Sequence, residues 1–185
     1  MGNISVNRLG GLSLIVGPVL ALIFFLVQPG GLLVDSVDPA NAQAAIVAIM
    51  GNSGLAHTSA FLIPLGLITL LFGILVLQGS IRGNGNGDAL SRMGALFVLL
   101  AVGVSVVNSA NTHVIASNVG AAAGALYALS LGMSTVGGSV LALGFVLFSL
   151  GLSTRDDNNK ILALIAGLAA LVSLIASLIG GADSS

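Results

Sequence analysis

Long apolar runs separated by short polar breaks dominate this chain. A membrane-crossing helix needs about 20 consecutive, mostly apolar residues. Five stretches meet that requirement: 9–27, 55–77, about 89–111, 134–152 and 161–179. The breaks between them carry turn and loop chemistry. Gln28-Pro29-Gly30-Gly31 ends the first run, and the segments 82–92 and 154–160 are rich in Gly, Asn and charge. Residues 40–50 are too short to span. Asp38 as a cap, with Pro39 at the first helical position, predicts a short interfacial helix there, and Asn52-Ser53-Gly54 breaks it. Pro64 predicts a kink inside the second span. The pattern therefore predicts an all-α membrane protein, a bundle of about five transmembrane helices forming one domain over 1–185, with short external interfacial helices.

Composition agrees. Of 185 residues, 56% are hydrophobic and only 6% charged, where a soluble domain carries about 25% charge to wet its surface. Mean hydropathy is +1.13. Lipid can cover such a surface and water cannot, so the bilayer is the first partner the sequence implies. The net charge is −1, so no basic face for nucleic acid can be built. The chain has no Cys, which excludes disulfides and thiolate metal sites.

The cations set the topology. Arg8 precedes span one, Arg82 and Arg92 lie between spans two and three, and Arg155 and Lys160 lie between spans four and five. Five crossings put all of them on one side, which the loop-charge bias makes cytoplasmic. The N-terminus is then cytoplasmic and the C-terminus external, in a multi-pass inner-membrane protein. A sixth span over 114–133 would move Arg155 and Lys160 across. That region is therefore read as an external interfacial helix, a re-entrant helix or an extension of span four. The Ala42-Gln43-Ala44 pattern lies too far beyond the first apolar run for signal cleavage, so span one is read as retained.

Two stretches look duplicated. Asn7-Arg8-Leu9-Gly10-Gly11-Leu12 parallels Ser91-Arg92-Met93-Gly94-Ala95-Leu96, and residues 71–82 parallel 144–155, each closing on Arg. The expected organisation is two parallel two-span repeats, about 7–82 and 91–155, plus a final helix at about 161–179. Repeats of two crossings each are related by an axis along the membrane normal. The Arg-Leu-Gly-Gly-Leu start, the Ala-rich segment and the Arg-Met-Gly restart resemble a group of uncharacterised bacterial multi-pass membrane proteins. That resemblance implies a bacterial-type inner-membrane location and offers no active site to transfer.

Small residues recur at helical spacing. Ser13, Gly17 and Ala21 line span one. Ala116, Gly120, Gly124, Ala128 and Gly132 form an i+4 ribbon, and Ala163 and Gly167 line span five. Such ribbons let backbones meet. The expectation is packing within the chain. The sharper alternative is a homo-oligomer or partner-subunit seam through Gly120, Gly124 and Ala128.

Polar groups gather at the external ends of spans two and three. Ser105, Asn108, Ser109 and Thr112 form a stripe on span three, with Asn111 and His113 beside it, while His57, Thr58 and Ser59 open span two. The candidate site is an external polar pocket between spans two and three made by His57, Thr58, Ser105, Asn108, Asn111, Thr112 and His113. Two His alone fall short of the usual three or four metal ligands, so no metal is assigned. The glycines at 83, 85 and 87 lack the Lys and helix context of a phosphate loop, so no cofactor is assigned. No nucleophile or carboxylate sits at membrane depth beside the two His, which disfavours an enzyme. No charged residue lies inside the apolar length of any span, which disfavours a proton-coupled pump. The first functional expectation is a non-enzymatic structural or accessory subunit. The alternative is a transporter or channel for a neutral or weakly polar solute.

Overall fold

The computed structural model describes residues 5–81, 87–154 and 159–182. They form six α-helices: α1 Val6–Val27, α2 Ala42–Gly51, α3 Ser53–Ile81, α4 Asp88–Ala116, α5 Ala123–Ser153 and α6 Lys160–Ala182, with a single 3₁₀ turn at Gly120–Ala122 before α5. Five of them, all but α2, are long and apolar enough to cross a membrane. At 1.5 Å per residue, a 29-residue helix such as α3 or α4 measures about 43 Å, beyond a hydrocarbon core of about 30 Å. Arg82 and Arg155, on which part of the cation pattern rests, lie outside the described residues, as does the glycine-rich stretch 83–86.

Helix boundaries correct three sequence expectations. The short helix α2 is capped by Asn41, whose side chain accepts from the Ala44 N–H at 3.1 Å. Asp38 does not cap it. Its carboxylate accepts from the Ala40 N–H at 2.9 Å, closing a local turn of the kind short acidic side chains favour, and Pro39 lies in that turn. The break after α2 is Asn52 alone, because α3 starts at Ser53 and runs unbroken through Pro64 to Ile81. The ribbon from Ala116 to Gly132 is not continuous either. Asn118 (φ 59°) and Gly120 (φ 61°) take left-handed conformations, which end α4 as αL residues commonly end helices. Gly124, Ala128 and Gly132 follow on a separate helix. Of the three readings of 114–133, most of the region is the start of a long span-four helix.

The chain divides into two compact units. The first comprises Met1–Leu14, Leu71–Gly103 and Thr135–Ser185. Here α1 meets α3 and α4 meets α5 by backbone approach at glycine. A Cβ on Gly73 would fall 2.9 Å from the Gly10 carbonyl oxygen, and one on Gly94 2.6 Å from that of Gly144. Only residues without side chains permit such contacts. Ile74, Ile81, Val98 and Ser91 are almost fully buried in this unit. The Arg92 guanidinium pairs with Asp88 at 2.7 Å, and Asp88 stands in the first turn of α4, where the helix dipole favours a negative charge. α6 meets α5 through Ser139 and Ser177, whose hydroxyls lie 2.9 Å apart, and through Gly167 beside Ser149. Its other faces present large apolar residues such as Leu162, Leu168 and Val172.

The second unit comprises Ile15–Leu70 and Val104–Ser134. α1 and α3 meet at Gly17 and Gly66, where a Cβ on Gly17 would fall 2.5 Å from the Leu70 nitrogen. Ile46 and Ile49 of α2 cluster with Ala56, Ile115, Ala116 and Ala123, and Tyr127 packs against them. The segment between α1 and α2 folds on itself, with the Gly30 N–H donating to the Val34 carbonyl at 3.0 Å. The Asn52 side chain donates to the Asp35 carboxylate, and the Tyr127 hydroxyl donates to the Pro39 carbonyl at 3.1 Å.

Candidate functional site

The expected polar residues fall into two groups, both in the second unit. His57, near the start of α3, and His113, near the end of α4, form a pair whose Nδ1 atoms are 2.9 Å apart. Thr58, next to His57, turns its hydroxyl onto the Gly54 carbonyl at 2.8 Å, so it serves its own helix. On α4, Ser105 is half-buried and is not among the residues that line the cavity described next. Asn111 is 9% exposed and donates to the Met133 sulfur at 3.6 Å.

Asn108 and Thr112 belong to a different place. They line a cavity of about 490 Å³ whose walls come from the end of α1, the segment after it, α2, α4 and α5. α3 contributes no lining residue. The cavity that Asn108 and Thr112 line is therefore not bounded by α3. The reason is apolar packing: Ala56 is fully buried against the Ile115 cluster, and His57 engages His113, which closes the α3–α4 seam.

One wall of the cavity is polar. The Asn108 amide donates from Nδ2 to Ser134 Oγ on α5 at 3.0 Å. Asn108 Oδ1 and Ser130 Oγ are buried with no hydrogen-bond partner, which is costly for a protein polar atom unless something else satisfies it. Ser130, Ser134 and Tyr127 were not foreseen. Their signal was present in the sequence as polar residues one turn apart in the apolar start of span four, the counterpart of the stripe on span three.

No Lys, Arg, His, Asp or Glu lines the cavity. Among the described residues no group of three or more His, Cys, Asp or Glu could hold a metal ion. The arrangement suits binding by hydrogen bonds and apolar contact. Comparison with protein-family models, curated proteins and solved structures finds no match for this chain.

Proposed function

We propose that this chain is a non-enzymatic, multi-pass inner-membrane protein that binds a neutral, weakly polar solute in the cavity between α1, α2, α4 and α5. The observation that carries this reading is a cavity of about 490 Å³ lined by apolar residues and a few polar ones, Asn108, Thr112, Ser130 and Ser134 among them, with no charged lining residue. Small-molecule sites commonly occupy about 300–1,000 Å³, with mostly apolar walls and a few placed polar groups. Native mass spectrometry of the chain purified in mild detergent tests the reading. The expected result is a neutral adduct that is lost on Asn108→Leu or Ser130→Leu substitution. An adduct-free chain held in a stable complex with other subunits would favour a second reading.

That second reading is a structural or accessory subunit, with a seam for a further copy or a partner subunit. Its support is the α5 face carrying Gly124, Ala128 and Gly132. Ala128 is exposed, and a Cβ on either glycine would meet nothing within 4 Å. Gly120 in the preceding turn is equally open.

The proposed architecture is two parallel two-span repeats, α1/α3 and α4/α5, followed by α6, with α2 an external interfacial helix. Gly10 and Gly94 each stand two residues after an Arg, Arg8 and Arg92, and each approaches a glycine on the following span, Gly73 and Gly144. Seven residues further on, Gly17 approaches Gly66, and in the second pair Ala101 and Gly137 are both buried. This supports duplication in which Gly73 is equivalent to Gly144, a slip of two residues from the alignment anchored on the closing Arg residues. The proposed orientation, N-terminus cytoplasmic and C-terminus external, rests on the cation pattern. The likeness to uncharacterised bacterial membrane proteins rests on the same Arg-bounded starts.

A further inference from the structure

The only two histidines of the chain meet where the start of α3 adjoins the end of α4, with their Nδ1 atoms 2.9 Å apart. Packing sets that spacing. Ala56, the residue before His57, is fully buried, and it shares an apolar cluster with Ile115 and Ala116, two and three residues after His113. The rings themselves reach the surface, His57 half-buried and His113 exposed. Two ligand nitrogens are thus held side by side by packed neighbours and stay within reach of solvent.

A hydrogen bond alone would favour a straighter arrangement. A straight N–H···N bond holds the ring centroids about 5 Å apart, the N···N distance plus two ring radii. Here the centroids are 4.2 Å apart and the planes tilted by 57°, so the rings are turned off the N···N line. Two nitrogens that bind a third atom must be turned in this way. A metal ion takes imidazole nitrogen at about 2.0–2.1 Å, so two ligands at a right angle stand about 2.9 Å apart and two at a tetrahedral angle about 3.3–3.4 Å. The right angle belongs to the tetragonal geometry of copper(II) and nickel(II). We infer that His57 and His113 form a two-histidine chelate for a divalent transition-metal ion, copper(II) before others, bound by both Nδ1 atoms in place of the proton they share. Copper(II) comes first because imidazole suits it and affinity along the divalent series peaks there. The ring that carried its proton on Nδ1 takes the Nε2 tautomer, so both Nδ1 atoms present lone pairs. Among the described residues no third His, Cys, Asp or Glu joins the pair. The other coordination positions therefore fall to water, and the ion is exchangeable. No histidine lines the cavity, so this inference is independent of the solute-binding reading.

The test uses the full chain in detergent, purified without a histidine tag and titrated with copper(II) in glycine buffer, which competes for weak adventitious sites. Calorimetry and electron paramagnetic resonance follow the binding. Wild-type protein should bind one copper(II), with hyperfine splitting from two imidazole nitrogens, and its thermal midpoint should rise by mass action. His57→Ala and His113→Ala should each weaken binding about tenfold or more, the scale on which metal sites respond even to loss of a supporting group. Each should leave at most one imidazole nitrogen in the spectrum. His57→Gln, which keeps a polar side chain at the seam, should behave as His57→Ala does and guards against a folding defect in the alanine variants. Binding by the variants as tight as by wild type, a wild-type spectrum with fewer than two imidazole nitrogens, or no saturable binding would each overturn the chelate.

Discussion

The Nδ1 atoms of His57 and His113 lie 2.9 Å apart, with ring centroids 4.2 Å apart and ring planes tilted by 57°. Two imidazole nitrogens at that distance share one proton, so one ring donates and the other must accept. The contact joins two residues 56 apart in sequence and closes the α3–α4 seam. A double-mutant cycle with His57→Ala and His113→Ala, read by thermal unfolding in detergent, should give a coupling of about 0.5–1.5 kcal/mol at pH about 7.5. A coupling indistinguishable from zero would refute the hydrogen bond.

Two glycines on α1, Gly11 and Gly17, should respond in opposite directions. A Cβ on Gly10 would lie 2.5 Å from the Val76 side chain, and one on Gly17 2.5 Å from the Leu70 backbone nitrogen, while Gly11 has nothing within 4 Å. Backbone cannot move aside as a side-chain tip can. Gly17→Ala should therefore force the helices apart and cost about 1–3 kcal/mol. Gly11→Ala should stabilise by up to about 1 kcal/mol, because Ala exceeds Gly in helix propensity by that amount. Thermal unfolding of the two variants beside wild type decides it. A Gly17→Ala protein as stable as wild type would show that the close approach does not limit packing.

The spans were legible because each is a long apolar run, and length against bilayer thickness is a one-dimensional property of the sequence. Helix ends depended on local competition and were harder to foresee. Asp38 and Asn41 are both capable caps, and the turn that Asp38 closes with Ala40 leaves the cap to Asn41. The i+4 ribbon over 116–132 read as one surface because spacing takes no account of φ, and Asn118 and Gly120 break it with left-handed conformations. His57 and His113, at roughly matched depths, were expected to meet if spans two and three adjoin, and their Nδ1 atoms lie 2.9 Å apart. The cavity could not be placed, because half of its polar wall, Ser130 and Ser134, comes from a helix start that the apolar pattern left ambiguous.

The cation distribution makes a separate prediction. Arg8, Arg92 and Lys160 lie near the starts of α1, α4 and α6, and Arg82 and Arg155 fall in the same two connections. If loop charge orients the chain, reporter fusions within 82–92 and just after Lys160 should both report the cytoplasm, and a fusion at Ser185 the external side. A cytoplasmic signal at Ser185 would rule out the five-span topology.

Tyr127 links α5 to the segment that covers part of the cavity. Its hydroxyl donates to the Pro39 carbonyl at 3.1 Å, across 88 residues, while its ring packs beside the Ile46, Ile49 and Ile115 cluster. The segment has no helix of its own between α1 and α2, so its order depends on a few tethers, of which this bond and the Asn52–Asp35 bond are two. Tyr127→Phe keeps the ring and removes only the hydroxyl. The expected loss is about 0.5–1.5 kcal/mol of local stability, which corresponds to amide exchange about 2–10 times faster between Gly30 and Ala40. Amides of α4 and α5 should exchange as in wild type, because local openings are separate from global unfolding. Tyr127→Ala should in addition lower the thermal midpoint, since it strips apolar contact from the cluster. Hydrogen–deuterium exchange followed by mass spectrometry reads both variants. If Tyr127→Phe leaves exchange between Gly30 and Ala40 unchanged while Tyr127→Ala accelerates it, the ring alone holds the segment and the hydroxyl tether contributes nothing.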